Sequence, residues 1–354
     1  MSEKRFLSVS DRFIADLEKV PLSVAHGEEP KIHLLIHGMR YLRLTNYPLE
    51  SFEEGAEFIQ SLTKFFCKSQ NLTIVFAYAE VLSSLILPLA SELTAEANHP
   101  LWVEATTQMY KKAHRLCYNS STASQVAGST ARPAQNTVKS TIYNEGDSAL
   151  ILMTSALAVS SQDLFGETWF ELIESNINRL KPKVETAMKT RYMTCISRLV
   201  WVYINRLPDT LNNTVKKLDR LFDLLFFGPN VSGRKQQWLT HDIELINSVA
   251  EIIRIVAFLH FNYVLDNVIL KLLRGSFGGM SLENVSPEKL ILVVKAYTLC
   301  LRDFKSGKKP EFPKEEIGNN ETDEIICLAS NKSIKALFEK NGNKIVSKVE
   351  QFDV

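Results

Sequence analysis

His33 and His37 stand four residues apart in Ile32-His33-Leu34-Leu35-Ile36-His37. On a helix this spacing puts both imidazoles on one face, as in zinc-binding pairs. A zinc-protease motif also needs a glutamate directly after the first histidine, and Leu34 stands there instead. Ordinary packing or surface histidines are the plain reading, and no metal ligand set is assigned. A second candidate is the glycine-rich stretch Gly275-Ser276-Phe277-Gly278-Gly279. Phosphate cradles need a following Gly-Lys-Ser/Thr and a preceding strand, and neither is present, so it reads as an inter-helix turn. There is no Gly-x-Ser-x-Gly, no kinase signature set and no cluster of Cys and His ligands. Scattered acids select no catalytic pair. The expectation is a non-enzymatic protein with no cofactor and no metal.

Charge is the polar feature above background. The net charge of the whole chain is +1, so no global field points to nucleic acid. From Arg179 to Arg220, however, ten Lys/Arg meet three Asp/Glu. Lys181, Lys183, Lys189, Arg191 and Arg198 mostly fall away from the apolar stripe of their helix. One reading is a solvated helix face. The other is a docking surface for an acidic or phosphorylated partner, carried by Lys183, Lys189, Arg191 and Arg198. Nucleic acid fits less well, because no stacking aromatics interleave the basic residues. Trp201 and Tyr203 read as core.

The elements that must position these residues are helices. Val184, Met188, Tyr192, Cys195, Leu199 and Tyr203 recur at steps of three and four. Met193, Ile196, Val200 and Trp201 widen that face until the helix is apolar nearly all round, which demands burial on more than one side. Pro208 stops it. Asn212 or Asn213 is expected to cap the next helix, with its stripe of Val215, Leu218, Phe222 and Leu225 and its end at Gly228-Pro229. Further helices are expected at about 2–20, 31–45, 50–69, 72–97, 100–118, 145–160, 163–178, 241–260, 261–273 and from Ser286-Pro287, with a kink or break at Pro88. Period-two alternation is nowhere sustained. The fold class is therefore all-α, and helix pairs of about 40 residues suit a HEAT/armadillo-like α-solenoid of stacked helix pairs.

Three segments follow. Residues 1–30 form an N-terminal helix and linker, 31–304 the helical-repeat domain, and 305–354 a charged linker or tail. Within the second, 119–144 is rich in Ser, Thr, Ala and Asn, cannot offset its ordering entropy, and reads as a mobile loop. The cysteines Cys67, Cys117, Cys195, Cys300 and Cys327 are odd in number and far apart, which suits reduced thiols in the cytosol. No apolar run is expected to span a bilayer, and no secretory signal opens the chain.

Arg198-Leu199-Val200-Trp201-Val202-Tyr203-Ile204-Asn205-Arg206 resembles the Furry family of cell morphogenesis proteins, specifically the N-terminal domain of those very large chains. The likeness extends to Met39-Arg40-Tyr41 with Pro48, Ile86-Leu87-Pro88, Leu164-Phe165 with Trp169, Asn213-Thr214, Arg220-Leu221, Leu225-Phe226 and Ser286-Pro287-Glu288-Lys289-Leu290. It covers roughly Ile32 to Phe312; the 119–144 segment and the tail depart from it. The resemblance implies a helical-repeat scaffold, an N-terminal portion of a longer protein. It further implies partners: an NDR/LATS-type kinase and its Mob adaptor, acting in polarised growth, cell shape and the cytoskeleton. The implied location is cytoplasmic, concentrated at the cell cortex or sites of polarised growth. A reading from another class is a HEAT-type transport adaptor binding cargo peptides in a concave groove. A third, an enzyme built on helices, has no visible site.

Overall fold

The structure, a computed structural model, describes residues 3–20, 28–42, 44, 52–118, 145–180, 186–207, 209–227, 245–276 and 287–314. The segment 119–144, Lys183 and the chain beyond 314 lie outside these. Among the described residues there are twelve α-helices and no strand. They are α1 (Glu3–Glu18), α2 (Glu29–Gly38), α3 (Phe52–Lys68), α4 (Leu72–Ile86), α5 (Pro100–Tyr118) and α6 (Glu145–Ala158). Then come α7 (Gln162–Arg179), α8 (Thr186–Arg206), α9 (Leu211–Phe227), α10 (Ile246–Val264), α11 (Leu270–Ser276) and α12 (Pro287–Ser306).

Helices two apart in the chain pack on one another. One row runs α2, α4, α6, α8, α10, α12, each touching the next. Beside it, α1 touches α3, α3 touches α5, and α7 touches α9, with α5 also against α6 and α7 against α8. The apolar patterns explain the rows. From Ile74 to Val81 every residue of α4 is buried, and in α8 every residue from Tyr192 to Ile204 is buried. Both helices have neighbours on more than one side, as an all-round apolar helix requires.

Local chemistry sets the ends. Asn71 caps α4, its side chain accepting from the Ile74 amide at 3.3 Å. The helix expected to reach residue 97 stops at Ile86, where Pro88 forces a 3-10 turn over Leu87–Ser91. At α9 the expected caps, Asn212 and Asn213, lie inside the first turn. Thr210 takes the role, its hydroxyl accepting from the Asn213 amide at 3.4 Å, because the helix already begins at Leu211. The expected division at 260/261 is a kink at His260 within α10, and a π-turn over Leu265–Ile269 leads into α11. Gly307 closes α12 in the left-handed conformation at φ 63°, the usual use of glycine just past a helix.

Two stretches, Leu72–Ser91 and Ile246–Ser276, are long and apolar enough by length and composition to cross a membrane, against the expectation of none. Of their most apolar windows, 67% and 50% is buried inside the protein. Each also carries a charged residue turned to polar partners in the interior, Glu80 and Arg254.

The segment expected to begin a charged tail instead starts by folding back. Pro310 and Phe312 are buried, and the stretch from Gly307 to Lys314 lies against α8.

Candidate functional site

Two polar constructions stand out, both on the row that contains α8. The first begins with the histidine pair. His33 and His37 do share a face of α2, with their Nε2 atoms 3.2 Å apart, one ring donating to the other. Burial holds both below the usual histidine range; for His37, the nearby His33 and Arg40 add to burial and bring it down to about 4. Both rings are therefore neutral at physiological pH. Glu80, 5% exposed, projects from the middle of α4 with Oε2 3.8 Å from His37 Nε2. Its Oε1 accepts from the Ser148 hydroxyl of α6 at 3.1 Å. Burial raises the Glu80 carboxyl above its ordinary value, against the smaller opposing pull of Ser148 and Arg40.

Next to Ser148, Asp147 is 1% exposed and forms an ion pair with Arg191 of α8. A line of polar side chains thus crosses four successive helices of one row. Farther along, Arg254 of α10 pairs with Asp303 of α12, and Lys295 donates to Asn247. Such contacts fix which turn of one helix meets which turn of the next, a register role that buried polar groups fill well. Among the described residues no group of three or more His, Cys, Asp and Glu is placed to hold a metal.

The second construction is centred on α8. Arg198, only 5% exposed, donates from Nε to the Pro313 carbonyl at 2.7 Å and from an Nη to the Lys314 carbonyl at 2.9 Å. One turn on, the Trp201 indole donates to the Pro310 carbonyl at 2.9 Å. Phe312 packs edge-on against the Trp201 ring, centroids 5.3 Å apart, and the Lys309 ammonium lies 4.8 Å from that ring's centre. At the end of α8, Arg206 donates to the carbonyls of Ala158 and Ser160, satisfying the open C-terminus of α6.

These bonds change the picture of a basic face. Arg198 is inside, bonded to main chain, and Arg191 is spent on a buried carboxylate, so neither belongs to a solvated surface. Lys189 is half-buried, and Lys183 lies outside the described residues. Pattern alone placed the charges away from the stripe but did not show that another segment covers them. Trp201 and Tyr203 are core, as expected, with Tyr203 stacked on Trp169 at 4.1 Å. Glu80 and Asp147 were missed, although a lone carboxylate in the apolar run Leu72–Ile86 signals a buried partner.

A small cleft of about 110 Å³ lies between α9, α10, α11 and α12. Phe222, Phe226 and Leu272 line it, and Tyr263 donates to Asp219 at 2.7 Å across its rim. Two of the thiols are reluctant ones: burial raises Cys67, and it pushes Cys300 up to about 12.

A family profile described as "Cell morphogenesis N-terminal" matches residues 1–352. The chain belongs to that family. The match takes in both ends and the 119–144 segment, beyond the Ile32–Phe312 span of the resemblance to Furry proteins, which it bears out. Among relatives, the "Cell morphogenesis protein PAG1" of Saccharomyces cerevisiae is 42% identical over 316 residues, covering 89% of this chain and 12% of PAG1. The "Cell polarity protein mor2" of Schizosaccharomyces pombe is 27% identical over 314 residues, covering 87% of this chain and 13% of mor2. The chain thus spans about an eighth of the length of these cell morphogenesis proteins. No solved structure matches.

Proposed function

We propose that this chain acts as a helical-repeat scaffold that supports an NDR/LATS-type kinase with its Mob adaptor in polarised growth and cell-shape control. The observation that carries the reading is the 42% identity to PAG1 over 89% of the chain. The row of helices, each stacked on the next but one in sequence, supports an α-solenoid of the HEAT/armadillo kind. A stack of this sort offers a long surface on which two proteins can be held together. The location that goes with this role is cytoplasmic, concentrated at the cortex or at sites of polarised growth.

Of the basic residues, the proposed docking role stays with Lys183 and Lys189, since Arg191 and Arg198 hold the fold. The test is affinity purification of the tagged full chain followed by mass spectrometry. Kinase and Mob should co-purify, and added salt should weaken their recovery. Recovery of neither, with cargo or coat proteins in their place, would overturn this reading in favour of the transport adaptor. For the docking role, calorimetric titration of kinase–Mob into the wild type and Lys189→Glu should show weaker binding by the variant.

A further inference from the structure

The segment Lys308–Lys314 sits on α8 as a bound peptide sits on a receptor. It lies outside any helix. Its anchors are three main-chain carbonyls, those of Pro310, Pro313 and Lys314, each accepting from a side chain of α8. Phe312 fills the space beside Trp201, and Lys309 covers that ring. Away from the anchors the segment faces water: the Lys308 and Glu311 side chains are 68% and 81% exposed. Prolines suit this role because they hold the chain extended and lack the N–H that a groove supplying only donors could not satisfy. Nothing in this recognition depends on the segment being tethered.

We propose that the α8 groove of Arg198 and Trp201 is a peptide-binding site, and that Lys308–Lys314 is its displaceable resident. The external ligand is an extended segment of a partner protein with a lysine followed by an aromatic residue flanked by prolines, as in Lys309-Pro310-Glu311-Phe312-Pro313. Its entry releases the chain's own segment, so partner binding is read out where that segment leads. This site is independent of the kinase–Mob reading and stands or falls on its own.

The test uses the full chain with residues 308–314 replaced by a Gly/Ser linker of equal length. The probe is a fluorescein-labelled peptide, SGKKPEFPK, followed by anisotropy. The linker variant should bind at least tenfold tighter than the wild type, whose tethered segment competes at an effective concentration on the order of millimolar. Trp201→Phe in the linker variant, which keeps the ring and removes the donor, should lose at least tenfold, as should a peptide lacking the phenylalanine. Equal binding by the wild type and the linker variant would overturn the proposal, as would no binding by a linker variant that circular dichroism shows to be folded. A linker variant that fails to fold would overturn it too, making the segment an integral strap rather than a resident ligand.

Discussion

Arg191 and Arg198 lie two helical turns apart, and each is committed to a different bond. Arg191 faces Asp147, which has almost no water to turn to. Arg191→Glu should cost about 3–5 kcal/mol in chemical denaturation, the usual loss when a buried pair is broken from one side. A variant within about 0.5 kcal/mol of the wild type would mean that the pair opens to solvent. Trp201→Ala should also cost about 3–5 kcal/mol, since it empties a site that is 4% exposed and removes the bond to Pro310. An unchanged melting temperature would place Trp201 outside the core. Acid should act through the histidine pair. His37 sits at about 4 in the folded chain against an ordinary 6.5, so its contribution is intact above pH 6.5 and is lost as pH falls towards 4. Glu80, raised by burial, opposes this, because its neutral form is the favoured one at low pH. The midpoint of denaturation should therefore fall between pH 6.5 and 4, and His33→Asn/His37→Asn should flatten the fall. A slope unchanged in that double variant would place the acid sensitivity elsewhere.

At the scale of the element, Gly307 and Arg206 each finish a helix. Gly307→Ala should cost roughly 1–2 kcal/mol, because a side chain at φ 63° meets its own carbonyl even though nothing else lies within 4 Å. A neutral effect in thermal melts would mean that the turn relaxes. The helices themselves were legible: the stripes of α8 and α9, the stop at Pro208 and the break at Pro88 all follow from apolar spacing and proline chemistry. The bonds between helices were less so. A stripe shows that a helix must be covered, not by what, and the cover for Arg198 comes from residues more than a hundred positions away. The cap at Thr210 was missed because Asn212 and Asn213 suit a cap equally well, and the apolar stripe of Leu218 and Leu221 does not by itself fix where the first turn begins.

For the whole molecule, the arrangement of rows makes stability uneven. α6 touches α4, α5, α7 and α8, whereas α1 is packed chiefly on α3. Where each helix leans on its neighbours, opening begins at the ends and reaches the middle last. Hydrogen exchange should therefore be slowest in α6 and α8 and fastest in α1. Equal protection in α1 and α6 would show a single cooperative block instead.

The contact between Arg198 and Pro313 spans 115 residues of sequence. A chain leaves the ribosome N-terminus first at about 5–20 residues per second, so α8 emerges roughly 6–23 s before the segment that covers it. During that interval Trp201 and Arg198 lack the segment that covers them, and α10, which also packs on α8, is still emerging. Among the described residues, the cover of the α8 groove is the last to be made, so this groove is a place where a chaperone or a waiting partner would meet the nascent chain before residues 308–314 arrive.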